Sequence, residues 1–242
     1  MVKVVNNIDD AQLVVVTIPI DIGSKRRYGQ KLGARRLREL VLKSKVNVNV
    51  FDYDELFVDN FDLSKNHKLI ESEAKKLLSE GKSVLFLGGD HSISYGICKA
   101  NKSSMIYSFD AHPDLVKEDL ISCQSWLSHF KNRSKLIGVR WMTEQEKEDM
   151  SQLKIVDSND CHVSLDVDVF DPKLIPGVAY PTKKGLGFDD FKKELNTIFS
   201  NHFVSSFDIN EYCPLVESKV SEKTLRFVID FILDKLKKQA EY

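Results

Sequence analysis

The sequence predicts a single three-layer α/β/α domain, residues 1–242, built on a mainly parallel sheet. Three observations carry this. Apolar runs of strand length alternate with helical patterns along the chain, and such β–α alternation implies parallel strands with helices on both faces. The run at residues 83–87 (SVLFL) is continuously apolar and ends in Gly88-Gly89, as a fully buried strand would. No internal repeat, low-complexity segment or linker rich in Pro, Gly or Ser divides the chain.

The elements follow in order. Residues 12–20 (QLVVVTIPI) form a β-branched run closed by Pro19 and an Asp-Ile-Gly turn. Residues 32–43 place Leu32, Leu37, Leu40 and Val41 at helical spacing. Residues 46–53 alternate with period two, the pattern of a half-buried strand. Ser64 is expected to cap a helix running to about Glu80, with Gly81 just past its end. After the strand at 83–87 come a short helix over 93–100, a strand over 105–109 and another over 135–139. A helix over 144–153 is followed by strands over 153–156 and 162–169. A helix over 189–199, capped by Asp189 or Asp190, a strand over 203–209 and an amphipathic helix over 220–238 close the chain. One join is odd. Only residues 157–161 separate the last two strands of the middle section, and a parallel crossover needs about a dozen residues. Either those strands are not parallel neighbours, or a helix has been lost.

Composition narrows the function. Thirty-five basic residues against 36 acidic leave a net charge of −1, so no electrostatic footprint for nucleic acid or an anionic membrane exists. No span reaches the ~18–20 apolar residues of a transmembrane helix, and the N-terminal ten residues lack the apolar core and cleavage site of a signal peptide. The four cysteines have no zinc-type spacing and read as reduced thiols of a cytoplasmic protein.

Three segments place hard metal ligands where strands end: Gly88-Gly89-Asp90-His91-Ser92, Phe109-Asp110-Ala111-His112-Pro113-Asp114, and Ser164-Leu165-Asp166-Val167-Asp168. Alternate side chains of an extended chain share a face. Asp110, His112 and Asp114 are therefore expected on one side, as are Asp166 and Asp168, with Phe109, Leu165 and Val167 anchoring the opposite face. Ligands of open α/β sheets bind at this carboxyl edge. Four carboxylates packed together cannot all ionise without cations. Four Asp with two His make a donor set for two divalent metals, best suited to Mn(II), with Fe(II), Co(II) or Zn(II) as competitors. His67 is expected to be solvated, His162 to point away from the metals, and His202 to sit in a turn.

Taken together, the GGDHS, DAHxD and SxDxDxxDP segments resemble those of the ureohydrolase family, which includes arginase, agmatinase, guanidinobutyrase, proclavaminate amidinohydrolase and formimidoylglutamase. The resemblance extends to Pro19–Arg38, with Ala34 where the family usually has Pro, and to Asp208–Pro214 followed by Thr224. It implies the arginase-like fold and two Mn(II) per chain. Asp110 and Asp166 would bridge them, His91 and Asp114 would complete one site, and His112 and Asp168 the other. Glu211 would pair with the substrate's guanidinium, and Asp114 would accept a proton from the attacking water. The implied reaction releases urea and an amine from a linear guanidino compound. Agmatine is the best match, with arginine or formimidoylglutamate as alternatives. The resemblance also implies a cytoplasmic homo-oligomer, a trimer or hexamer, with no nucleic-acid or membrane partner.

The sequence departs from the family in two places. Many members carry a proton-shuttling histidine soon after DAHxD; here Cys123 takes its place, and His129 lies six residues on. A thiol is the poorer acid–base at neutral pH, so a weakly active metal-binding paralogue is a further alternative. The chain between Asp110 and Asp166 is also short, with its losses near residues 157–161 and before Cys123. The compactness there favours a substrate without an α-amino acid head.

Overall fold

The computed structural model describes residues 1–25, 27–102 and 104–241. Eight parallel strands form one sheet: β1 (Lys3–Val5), β2 (Leu13–Ile18), β3 (Asn49–Glu55), β4 (Ser83–Gly88), β5 (Met105–Phe109), β6 (Ser134–Ile137), β7 (Asp160–Asp166) and β8 (Phe203–Asn210). Their spatial order is β1-β3-β2-β4-β8-β7-β5-β6. The helices are α1 (Gln30–Leu42), α2 (Leu63–Leu78), α3 (Ile93–Ala100), α4 (Glu144–Met150), α5 (Phe188–Asn201) and α6 (Lys219–Ala240). Among the described residues no helix is long and apolar enough to cross a membrane.

Both faces of the sheet are covered, which is why β2 reads as an unbroken apolar run. Its Leu13 and Val15 pack with Leu37 and Leu40 of α1 and with Leu233 of α6. Its Val14, Val16 and Ile18 turn the other way, onto Ile70 and Leu77 of α2 and Ile97 of α3. A third cluster joins Ile106 of β5 to Trp126, Leu127 and Phe130. These belong to a 3₁₀ stretch, Trp126–Arg133, that apolar periodicity did not disclose.

The strand expected over 153–156 does not form, and this removes the odd join. After α4 the chain runs as turn and coil to β7. Leu153 and Val156 pack against the core, but Ile155 stays exposed, and Lys154 N–H donates to Lys131 C=O rather than to a strand. β6 and β7 flank β5 on opposite sides, so the crossover between them includes α4 and is long enough. The strand expected over 162–169 ends at Asp166, and Val167–Val169 is a 3₁₀ turn. Two caps also differ. Asp62, not Ser64, caps α2, its carboxylate accepting from Lys65 N–H at 2.9 Å. Gly187 precedes α5, and Asp190 reaches back to its N–H.

His67 is not solvated. Buried between α2 and α3, its ring lies 5.1 Å from that of Tyr95, and burial lowers its pKa to about 4.

Candidate active site

Register explains why distant segments meet. Leu87, Ile209, Leu165 and Phe109 are paired in one row across β4, β8, β7 and β5. All four point into the core, so the chain positions just beyond them emerge together at the carboxyl edge. The β4 exit is sterically tight: a Cβ on Gly89 would stand 1.7 Å from the Ile20 carbonyl oxygen, so the loop carrying His91 packs directly on the loop after β2.

Six side chains converge there. His91 Nδ1 lies 3.1 Å from Asp110 Oδ2, 3.0 Å from Asp114 Oδ2 and 3.5 Å from Asp166 Oδ2. His112 Nδ1 lies 3.5 Å from Asp110 Oδ1 and 2.9 Å from Asp168 Oδ2. Two groups have donor atoms close enough to hold a cation: His91, Asp110 and Asp166, and Asp110, His112 and Asp168. Asp110 belongs to both. Asp114 stands against the first group through His91.

The donor set fits divalent metal ions. His91 Nδ1 and Asp110 Oδ2 are buried and, among the described residues, have no hydrogen-bond partner of acceptable geometry. Buried polar atoms are seldom left so; the two lie 3.1 Å apart at the centre of the cluster. Protons otherwise hold the cluster's charge. Burial, then the neighbouring Asp110 carboxylate, pushes Asp114 up to about 7. Burial and Asp168 raise Asp166 well above the ordinary carboxylate value. Burial works against protonation of His112, but Asp110 and Asp168 outweigh it and raise the imidazole to about 12. All donors are oxygen or imidazole nitrogen, which suits Mn(II) and its neighbours rather than structural zinc.

The route to convergence is less regular than expected. Asp110, His112 and Asp114 do not lie along an extended strand; β5 has ended at Phe109 and the chain bends at once. Asp114 returns to His91 through a left-handed backbone, φ 51°, and Trp126 Nε1–H donates to its Oδ2 at 3.0 Å. Asp166 Oδ1 and Asp110 Oδ1 each accept the N–H two residues on, from Asp168 and His112. Asp168 Oδ1 accepts from Ala111 N–H, tying β7's end to β5's.

Glu211 faces the same cavity, of about 740 Å³. It too has a left-handed backbone, φ 67°. Its Oε1 accepts from His91 N–H at 2.8 Å and its Oε2 from Gln30 Nε2 at 3.0 Å. Burial, then Asp90, raises its pKa to about 8. Cys123 lines the cavity beside Asp114 and Gln124, and its N–H donates to Gly23 C=O. Burial and the surrounding carboxylates, Glu211 first, push its thiol far up. His129 turns away onto Tyr95 and does not line the cavity. The mouth is formed by Trp141, Thr143, Glu146, Tyr180 and Lys183. The Trp141 and Tyr180 rings both stand edge-on to His112.

Sequence reasoning missed Gln30, Trp126 and the mouth. Gln30 opens α1 without motif context, and Trp126 reads as core. It also misplaced His162. That residue shares its strand face with Ser164 and Asp166, since residues four apart on a strand point the same way, and it lies buried beneath the cluster.

A family model described as "Arginase family" matches residues 11–156 and 132–236. The guanidinobutyrase of Pseudomonas aeruginosa is 27% identical over 229 residues, covering 74% of this chain and 72% of that protein. The agmatinase of Pyrococcus horikoshii is 25% identical over 240 residues, covering 85% of each. Among solved structures, the formimidoylglutamase of Bacillus subtilis superposes with a TM-score of 0.86 at 19% identity, over 98% of this chain and 89% of that one.

Proposed function

The chain belongs to the arginase family, and from that premise we propose that it is a dimanganese ureohydrolase cleaving agmatine, or a close amine-tailed guanidino compound, to urea and an amine. The observation that carries the proposal is the meeting of two carboxylate–imidazole groups, sharing Asp110, with Glu211 at the wall of one cavity. His91, Asp110, His112, Asp114, Asp166 and Asp168 would hold two ions, and Asp110 belongs to both candidate groups. Such ions, when bound, would supply Lewis-acid charge and lower the pKa of bound water.

The chain's own residues do the rest. A bound guanidinium cation favours the ionised form of Glu211 against the burial that raises its pKa, and paired charge-assisted bonds to its two oxygens then fix the guanidinium plane and the angle of attack. His91 N–H and Gln30 hold that carboxylate still. Asp114, aimed by Trp126, accepts the proton of the attacking water. Cys123 lines the same cavity, and a thiol pushed this far up keeps its proton and is a poor donor to the leaving nitrogen near neutral pH. That favours a second reading, a paralogue with low turnover.

The mouth supports an amine tail. Glu146 is a buried carboxylate there, with Thr143 N–H and Oγ1 donating to Oε2, and the Trp141 and Tyr180 rings offer faces that attract cations. Lys183 is the mouth's one cation among the described residues and lies at its exposed edge. The test is urea release from agmatine, arginine and guanidinobutyrate, and formamide release from formimidoylglutamate, each with Mn(II). Highest kcat/KM on agmatine is expected. Preference for guanidinobutyrate would assign the tail to Lys183, and no turnover of any would leave the paralogue reading.

A further inference from the structure

Beneath the cluster lies a buried network whose bookkeeping has one solution. The Asp208 carboxylate in β8 is fully buried and accepts from Ser164 Oγ at 2.6 Å, Asn210 Nδ2 at 2.6 Å, Ser94 Oγ at 2.7 Å and His162 Nε2 at 3.0 Å. His162 is held in turn by Ser206 Oγ, 2.8 Å from its Nδ1. Ser164 Oγ also lies 2.8 Å from His91 Nε2. A hydroxyl has one proton and a carboxylate none. Ser164 Oγ gives its one proton to Asp208 at 2.6 Å and Ser94 Oγ gives its own to the same carboxylate at 2.7 Å, so the 3.2 Å contact between the two hydroxyls supplies no further donor; Ser164 then accepts from His91, whose Nε2 carries hydrogen. The ring's other nitrogen, Nδ1, is then the one that presents its lone pair among Asp110, Asp114 and Asp166.

We propose that Ser164 and Asp208, backed by His162, are positioning residues that hold His91 in its Nε2–H form, aim Nδ1 at the cation, and so set the affinity of one metal position and not the other. The proposal rests on the reading of His91 as a metal ligand. His112, the corresponding imidazole of the second group, reaches no such network: its Nε2 lies 3.4 Å from Thr182 Oγ1 near the cavity mouth. The asymmetry makes the idea testable. Outer partners of metal-bound imidazoles typically change metal affinity about 10–100-fold.

The experiment titrates Mn(II) by calorimetry into the chelator-stripped full chain, for the parent, Ser164→Ala and Ser164→Thr. Two binding events are expected in the parent. In Ser164→Ala one should weaken about 10–100-fold while the other stays within about threefold. Ser164→Thr, which restores the hydroxyl, should bring the weakened event back toward the parent. Melting temperatures of the stripped proteins separate this from general loosening, which would weaken both events and escape rescue by threonine. Unchanged affinities in Ser164→Ala, or equal loss at both positions, would overturn the positioning role. A parent that binds no Mn(II) would instead overturn the ligand assignment itself.

Discussion

Replacing Glu211 by glutamine isolates the contact on which substrate recognition is proposed to turn. The substitution keeps the side chain's shape and the left-handed backbone at φ 67°, and exchanges one charged oxygen for an NH₂. The fold should absorb the exchange. Gln30 Oε1 is buried and has no partner among the described residues, so turning the Gln30 amide over offers the new NH₂ an acceptor, while the retained oxygen can still accept from His91 N–H. What is lost is charge assistance to the guanidinium, about 1.5–3 kcal/mol. At 1.36 kcal/mol per factor of ten, kcat/KM on agmatine should fall roughly 10–150-fold. The assay is urea release under Mn(II), with bound metal measured by plasma mass spectrometry and the melting temperature by calorimetry. Metal content and melting temperature should stay near the parent's. A kcat/KM within twofold of the parent would show that the guanidinium is held elsewhere, and loss of metal in step with activity would make Glu211 a ligand.

Cys123→His should fold and raise turnover near neutral pH, because imidazole exchanges protons there and the thiol, pushed up by burial and the surrounding carboxylates, does not; a lower melting temperature with no gain in rate would make Cys123 a packing residue. His67 gives a pH signature in stability. Its folded pKa of about 4 lies below the ~6.5 of an exposed histidine, so the unfolded chain binds the proton more tightly. The full contribution is present above pH ~6.5 and is lost as pH falls toward 4, to the extent of about 3 kcal/mol. Urea denaturation of His67→Phe should show that much less loss between pH 7.5 and 4, and parallel profiles would refute the assignment. Gly33→Ala would put a Cβ 1.8 Å from the Tyr212 carbonyl oxygen, next to Glu211. Overpacking of this kind costs about 1–3 kcal/mol, so both melting temperature and kcat/KM should drop, and an unchanged melting temperature would show that the loop yields freely.

Seven of the eight strands were legible because burial on both faces writes itself as apolar runs, as in β2 and β4; the three-residue, largely exposed edge strand β1 was not. The segment at 153–156 looked similar, but an apolar tetrapeptide cannot state whether a strand edge is available to pair with it. Ligand types and their order were legible because four aspartates and two histidines following apolar runs have few other uses. Their geometry was only partly so. Parity placed Asp110, His112 and Asp114 together for a reason that does not hold in the fold, since a bend and a left-handed turn, not an extended chain, return Asp114 to His91. Gln30 and Trp126 were invisible because each acts through one hydrogen bond to a carboxylate, 181 and 12 residues away, and neither helical nor strand periodicity encodes such a pairing.

Backbone strain makes the same division. Four non-glycine residues among those described have positive φ: Asp54, Asp114, Lys184 and Glu211. Asp54 and Lys184 are exposed, and αL costs little where a short or solvated side chain can relax. Asp114 and Glu211 are buried, and holding a buried residue there costs on the order of 1–3 kcal/mol. Both are held from outside the turn. Glu211 N–H donates to Gly89 C=O at 2.8 Å, and its carboxylate is fixed by His91 N–H and Gln30; Asp114 is fixed by Trp126. A relaxed backbone at either position would swing its carboxylate out of the cavity. The strain therefore keeps two carboxylates facing His91 and the cavity despite their mutual repulsion. It is offset by contacts from the loop after β4 (Gly89 and His91), from Gln30 of α1 and from Trp126 of the 3₁₀ stretch.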